Sequence, residues 1–161
     1  MLMLEVPDAP IFKDSHERNI IPQVSIFDLL KKYDGNTESY VSGKIQKYSI
    51  WRLPEYLILI VKRFFKNEYF EEKNPTIVAF PMKNLDLSEY VDEDSPEKGE
   101  NARYDLVCNI CHEGKPKDGS FKVFVFHPPS SNWYQLEDLL VTQVLPQFVA
   151  QSGMIYSCIC S

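Results

Sequence analysis

The sequence has little of what would place it in a secreted or membrane class. No apolar run approaches the roughly 20 residues that a membrane-spanning helix needs, and the N-terminus lacks the basic region and apolar core of a signal peptide. Cysteine is scarce, with four residues in the chain. We therefore expect a cytosolic or nuclear protein that has thiols rather than disulfides and no membrane partner.

Basic residues are also few. Seventeen Lys and Arg against 23 Asp and Glu give a net charge of −6, and the basic residues form no cluster beyond short runs. Proteins that bind the phosphates of nucleic acids usually carry a cluster of basic residues, which this sequence lacks. We therefore expect no direct contact with nucleic acid. The acidic residues concentrate at about 89–101, which we interpret as a solvated loop between two strands.

Apolar residues are plentiful. They make up 44% of the 161 residues and aromatic side chains make up 13%, which is typical of a folded domain with a substantial core. We predict one unit over residues 1–161, built as an α+β fold with a mostly antiparallel sheet and a few short helices.

The hydrophobic pattern places most elements. A helix over 25–33 has Ser25 as its N-cap, Asp28 as a capping-box-like partner and Gly35 at its end. We also predict an extended polar connection over 7–22, a helical turn over 86–91 and a short helix over 142–151. The apolar run YLILIV suggests a central strand covered on both faces. Strands are predicted over 1–6, 44–51, 56–65, 75–80, 104–110, 121–126, 132–136 and 154–160.

A hairpin is the most informative part of the chain. Its two arms, 104–110 and 121–126, alternate in polarity and are joined by a polar loop. The next strand, 132–136, is followed by the acidic pair Glu137 and Asp138. Turn residues fill the loop between the arms: Gly114, Pro116, Lys117, Asp118 and Gly119.

The first arm contains the pattern C-x-x-C-H, from Cys108 to His112. Haem attachment is excluded by the absence of an export signal and by the strand pattern, which sends Cys108 and Cys111 to opposite faces. A zinc site formed by all four cysteines, Cys108, Cys111, Cys158 and Cys160, stays open as a minor alternative to half-buried packing residues. We expect no cofactor.

Three motifs in order resemble the ubiquitin-specific protease family. The first is LPEYLILIVKRF at 53–64, and the second follows it at 73–87 with Lys73, Val78 and Pro81. The third is the hairpin, which matches the histidine motif of the family at these positions: Tyr104, Leu106, His112, Gly114, Gly119, Trp133, Tyr134 and Asp138. The resemblance spans residues 53 to about 144.

The resemblance implies a papain-like fold. In that family this part of the chain would form most of the palm and part of the fingers. The thumb, which carries the nucleophilic cysteine, would precede residue 1, so the resemblance implies a fragment without that lobe.

The resemblance also implies a damaged catalytic site. The catalytic histidine maps onto Ser120, and the orienting Asp or Asn maps onto Glu137, with Asp138 beside it. A serine hydroxyl cannot take up a proton near neutral pH, which removes a general-base contribution of roughly 10²- to 10⁴-fold. His112 is expected to face Ser120 across the loop, and His127 lies seven positions further on; we assign neither a catalytic role. No cysteine opens a helix, where a thiolate would be stabilised.

The chain also resembles a catalytically inactive, splicing-associated branch of the family, in which Gly-Ser likewise takes the place of Gly-His. The resemblance therefore implies a nuclear, non-catalytic module that supports the spliceosomal tri-snRNP through protein contacts. An alternative is a fragment of a deubiquitinase, or a pseudoprotease that binds ubiquitin or a ubiquitin-like protein without cleaving it. A further alternative is an incomplete gene product with exposed apolar surface.

Overall fold

The computed structural model of the protein describes residues 1–8, 12–13, 19–66, 68–69, 71–150 and 155–161; residues 9–11 and 14–18 of the predicted connection lie outside it. The two helices are α1 (Ile26–Leu30) and α2 (Pro146–Ala150). The strands are β1 (Leu2–Glu5), β2 (Phe12–Lys13), β3 (Asn19–Ile20), β4 (Gln23–Ser25), β5 (Ser39–Val41), β6 (Lys44–Gln46), β7 (Leu57–Lys62), β8 (Phe64–Lys66), β9 (Glu71–Lys73), β10 (Ile77–Ala79), β11 (Leu85–Asp86), β12 (Arg103–Tyr104), β13 (Leu106–Lys115), β14 (Asp118–His127), β15 (Asn132–Glu137), β16 (Leu140–Val144) and β17 (Ile155–Cys160).

Seven strands form the central sheet, in the order β1-β7-β17-β13-β14-β15-β16. Every pair in it is antiparallel except β1 with β7, and the remaining strands form two-stranded pairs around it. The predicted α+β class, with a mostly antiparallel sheet and few short helices, is therefore confirmed. The helices described are five residues each, far too short to cross a membrane.

Strand β7 lies inside the sheet but is covered on one face only. Leu57, Leu59 and Val61 are buried, whereas Ile58 between them is 36% exposed. The expectation of a strand buried on both faces is wrong, because composition alone cannot tell which face of a β-branched run meets the core. The predicted strand 56–65 is also divided at Arg63, a fully buried side chain that donates to the carbonyls of Asn74 and Thr76.

The first helix follows the sequence prediction closely. Ser25 caps it by accepting a hydrogen bond from the Phe27 amide (3.3 Å), and Ile26, Leu29 and Leu30 turn inward. A 3₁₀ turn over Lys31–Tyr33 continues it, and Gly35, with φ +73°, ends the segment in a conformation that suits glycine.

The helix predicted over 142–151 is wrong in its first half. Residues 140–144 form β16, which pairs with β15, and α2 begins at Pro146. Proline is favoured at the first position of a helix because its missing N–H has no intrahelical partner there.

The predicted strand 44–51 is also shorter than expected. The strand ends at Gln46. The residues that follow it contact the acidic loop rather than continuing the strand. Ile50 bridges Val91, and the Ser95 hydroxyl donates to the Trp51 carbonyl (2.7 Å). Ser95 is buried, so the loop is docked on residues 49–53 rather than fully solvated.

Candidate functional site

The β13–β14 hairpin forms the candidate site. Its two ten-residue strands are in register from Cys108–Val125 to Lys115–Asp118, so the turn itself is only Pro116 and Lys117. Gly114 supplies a positive φ of +89° next to this turn. The alternation of strands then places successive side chains on opposite faces of the hairpin.

One face holds His112, which is buried and 3% exposed. Its ring packs edge-on against Phe64 (centroids 5.0 Å apart) and Phe121 (4.9 Å). Gly119 lies directly beneath it, and a Cβ at that position would overlap the ring Nε2 of His112 and the carbonyl oxygen of Glu113. Burial, and then the nearby charge of Lys73, lower the pKa of His112.

Ser120 lies on the opposite face of the hairpin. Its cross-strand partner is Glu113, whereas His112 pairs with Phe121. The expectation that His112 faces Ser120 is therefore wrong, because one residue of register moves a side chain to the other face. Ser120 is exposed to solvent.

Glu137 is drawn into an ion-pair network on the Ser120 face. Lys122 Nζ lies 2.9 Å from Glu113 Oε2 and 3.8 Å from Glu137 Oε2. The amide of Gln135 donates to the same Glu137 oxygen (3.3 Å). The hydrogen bond with Glu113 raises the pKa of Lys122. The Glu137 carboxylate is thus a second, more distant ion-pair partner of Lys122.

Lys122 is the residue that sequence reasoning did not connect to the site. The signal was present, since Lys122 is the one charged residue in the apolar run 121–126 and stands two positions after Ser120. Period-two alternation puts both on one face.

The other candidate residues lie away from this network. Asp138 is exposed and occupies the turn between β15 and β16 with a φ of +50°. His127 ends β14, and its Nδ1 lies 2.9 Å from the Ser130 hydroxyl. Neither residue faces Ser120 across the ladder.

The four cysteines lie on two neighbouring strands, Cys108 and Cys111 on β13 and Cys158 and Cys160 on β17. Burial raises the pKa of the Cys108 thiol, and the hydrogen bond that the Cys158 thiol donates to Cys160, together with burial, raises the pKa of Cys158. All four are therefore placed on strands and away from helix N-termini. In the part of the chain that the structure describes, no three His, Cys, Asp or Glu side chains are grouped to hold a metal ion.

A cleft of about 480 Å³ opens beside the hairpin, on the His112 face. Aromatic side chains form much of its wall and two lysines stand on its rim. Its lining comprises Phe64, Phe65, Lys66, Glu71, His112, Pro116, Lys117, Gly119 and Phe121. Ser120 and Glu137 do not line it.

The two positions that the family resemblance singles out contain no imidazole and do not line the cleft. Ser120 has an exposed hydroxyl, and the carboxylate of Glu137 lies 3.8 Å from Lys122 Nζ. Nucleophilic catalysis by a thiol needs a base within hydrogen-bond reach of it.

Comparison with protein families gives a match over residues 11–157 to the family described as ubiquitin carboxyl-terminal hydrolase. The chain is 46% identical over 155 residues to human "Ubiquitin carboxyl-terminal hydrolase 39", covering 94% of the chain and 27% of that protein. It is 36% identical over 149 residues to "Probable mRNA-splicing protein ubp10" of Schizosaccharomyces pombe, covering 89% and 30%. The chain thus spans less than a third of the length of these relatives.

Solved structures share the fold at lower identity. An essential yeast splicing factor superposes with a TM-score of 0.67 at 19% identity, over 99% of this chain and 35% of that one. The SAGA DUB module bound to ubiquitin aldehyde superposes with a TM-score of 0.74 at 17% identity, over 99% and 35%.

Proposed function

Since the chain belongs to the ubiquitin carboxyl-terminal hydrolase family, we propose that it is a non-catalytic module of that family that acts in pre-mRNA splicing. It forms the palm and part of the fingers of such a domain. It works in the nucleus and supports the tri-snRNP through contacts with spliceosomal proteins.

The observation that carries the loss of catalysis is the pair of positions where the family keeps its base and its orienting acid. Ser120 is exposed and paired with Glu113, and Glu137 is bound to Lys122. Removing a general base costs roughly 10²- to 10⁴-fold in rate, and Glu137 then has no imidazole to orient.

The splicing role is supported by the relatives. Two relatives, one of them named for mRNA splicing, are 46% and 36% identical to this chain and cover 94% and 89% of it. The net charge of −6 favours protein partners over RNA.

The test uses nuclear extract depleted of the protein. Wild type and Ser120→Ala should restore splicing equally and co-purify with tri-snRNP proteins, because the Ser120→Ala substitution does not alter the packed face of the hairpin. Gly119→Ala, which disturbs that face, should do neither. Wild type that fails to restore splicing, or a Ser120→Ala variant that fails where wild type succeeds, would contradict the proposal.

Catalysis is tested separately with a ubiquitin-derived fluorogenic substrate. We expect turnover at the background rate for wild type and for Cys108→Ser. Turnover by wild type that disappears on changing one cysteine would overturn the assignment as a pseudoenzyme.

A second candidate function is ubiquitin binding without cleavage. It is favoured by the cleft beside His112 and by the likeness to a DUB module bound to ubiquitin aldehyde. Titration of the ¹⁵N-labelled chain with ubiquitin should then shift the amide signals of Phe65 and Phe121. Unchanged spectra at millimolar ubiquitin would exclude it.

A further inference from the structure

Most of the negative charge of the protein is concentrated in one segment, residues 89–100. This segment contains six carboxylates and one lysine, a charge of −5 in a chain whose net charge is −6. The carboxylates belong to Glu89, Asp92, Glu93, Asp94, Glu97 and Glu100. Among the described residues, the ion pair between Lys98 and Glu93 (2.9 Å) is the only one that the segment makes. Most of its charge is therefore not neutralised by the chain itself.

The segment lies beside an exposed tryptophan. Val91 forms a bridge with Ile50, and both side chains are buried. Because side chains alternate along extended backbone, the next residue on each side, Trp51 and Asp92, points outward. The Ser49 hydroxyl, two positions before Trp51, donates to Asp92 Oδ2 (2.5 Å), which agrees with this placement. Trp51 is 52% exposed, so its indole and the Asp92 carboxylate share one solvent-facing surface.

Hydrogen bonds fix the carboxylates on this surface. The Ser49 hydroxyl and then the Asp94 amide lower the pKa of Asp92 by donating to its carboxylate, so it stays ionised at neutral pH. The Ser95 hydroxyl donates to the Trp51 carbonyl (2.7 Å). Asp94, which is exposed, is thus adjacent in the chain to a residue in contact with Trp51.

No cation of the chain occupies the indole. Among the described residues, the Trp51 ring has no ammonium or guanidinium group over it. Arg52, the next residue, lines a separate cavity together with Ile50 and Leu57. The face of an aromatic ring attracts cations through its quadrupole, most strongly for tryptophan, and nearby carboxylates add to this attraction. An exposed indole beside carboxylates that have no cation partner is thus suited to a cationic side chain.

We propose that Trp51, Asp92 and Asp94 bind an arginine side chain in a basic segment of a partner protein. The guanidinium stacks on the indole and pairs with the carboxylates. Arginine suits this surface better than lysine, because its planar guanidinium stacks on aromatic rings and is less strongly hydrated than an ammonium group. Charge selects this occupant: nucleic acid, an acidic segment or a second copy of this chain would each bring further negative charge to a segment that already carries −5.

This site extends the proposed function, from which it takes only the expectation of a protein partner. None of its residues lines the cleft beside His112, so it is independent of the loss of catalysis and of ubiquitin binding in that cleft. It is tested with peptides and without splicing extract. A failed peptide assay therefore leaves the splicing test unaffected, and a failure to restore splicing leaves the peptide result unaffected.

Intrinsic fluorescence of the full 161-residue chain tests the proposal. The protein has two tryptophans, and Trp133 is buried (6% exposed), so a peptide on this surface should change the emission of Trp51. The probe is a short peptide of alternating arginine and glycine, compared with peptides that contain lysine or glutamate instead of arginine. We expect a saturable change with the arginine peptide, about threefold weaker binding of the lysine peptide, and no change with the glutamate peptide. Trp133→Phe should keep the emission change.

Calorimetry of substituted proteins locates the contact. Trp51→Leu should raise the dissociation constant of the arginine peptide about fivefold, and Asp92→Asn about threefold. The emission maximum of the buried Trp133 shows whether Trp51→Leu is folded. Asp118→Asn is the matched control, because it removes the same charge from an exposed position in β14, and it should leave the dissociation constant unchanged.

Three results would overturn the proposal. They are an arginine peptide that leaves the emission unchanged at millimolar concentration, an unchanged dissociation constant for folded Trp51→Leu, and equal effects of Asp92→Asn and Asp118→Asn. The last result would show that the net charge of the protein, rather than this surface, attracts the peptide.

Discussion

On one face of the β13–β14 hairpin Gly119 lies beneath the buried ring of His112, and on the other face Ser120 stands in solvent opposite Glu113. The two residues are adjacent in the chain. A side chain at Gly119 would collide with neighbouring atoms, whereas the side chain of Ser120 is exposed to solvent. Two neighbouring residues of the hairpin are therefore subject to different physical constraints, close packing at Gly119 and solvent exposure at Ser120.

This separation explains how the hairpin can keep its shape whichever residue occupies position 120. Gly114, Gly119 and His112 determine the turn and the packing of the tip. Substitutions at exposed positions such as Ser120 usually change the free energy of unfolding by no more than about 0.5 kcal/mol. Either a serine or a histidine should therefore be accommodated at position 120 with little effect on folding stability.

The largest effect is expected from Gly119→Ala. The added Cβ would overlap the His112 ring and the Glu113 carbonyl, so the free energy of unfolding should fall by about 3 kcal/mol. Chemical denaturation measures this. Ser120→Ala, one residue away, is the control and should change stability little; equal effects for both variants would refute the contrast between the two faces.

His112→Ala should come next, with a loss of about 2 kcal/mol from the packing against Phe64 and Phe121. The pH dependence tests the cause. The pKa of His112 is lower in the folded state than its usual 6.5, so the unfolded state binds more protons as pH falls. Wild-type stability should decline as pH falls below about 6.5 and level off below the folded pKa.

His112→Gln should lack this particular decline between pH 7.5 and pH 5. Comparing denaturant midpoints of the two proteins at both pH values isolates the histidine from the carboxylates, which titrate lower. A decline of equal size in the variant would assign the effect to other groups.

Lys122→Met sharpens the description of the Ser120 face. Both of its ion-pair partners are partly exposed, so the free energy of unfolding should fall by only about 0.5 kcal/mol. High salt should reduce the difference from wild type, because screening weakens exposed pairs. A loss of stability comparable with that of Gly119→Ala would mean that side chains on the Ser120 face of the hairpin also contribute strongly to folding stability.

Ser120→His should have the smallest effect on stability, within about 0.5 kcal/mol. It restores the residue type of the active family members but not activity, since Glu137 is bound to Lys122 and the four thiols lie on strands. Hydrolysis of the fluorogenic substrate should stay at background. A measurable rate would show that the missing imidazole is the only defect.

Much of the fold could be predicted from local patterns. The cap at Ser25, the glycine at position 35 and the strand pattern over 154–160 are short-range signals. The structure follows the first two, and it forms a strand over 155–160, although burial does not alternate there and residue 154 lies outside the described residues. The segment 140–151 could not be divided correctly. Its apolar residues suit either a strand or a helix, and only pairing with β15 decides for a strand over 140–144.

The candidate site could likewise be predicted only in part. The sequence predicted the hairpin and the residues at its tip, and it singled out Ser120 and Glu137 by resemblance. It could not reveal that Lys122 links Glu113 to Glu137, because that contact depends on the registers of β13 with β14 and of β14 with β15.

The family, the order of the main strands and the first helix, and the residue types at the tip of the hairpin can be recognised from the sequence alone. Those follow from composition, alternation and motifs, which are local properties of the chain. Only the tertiary structure shows which face each side chain occupies, that His112 packs over Gly119 rather than beside Ser120, and that β16 is the last strand of the central sheet among the described residues. Strand register and sheet order are non-local, and a shift of one residue reverses every side chain.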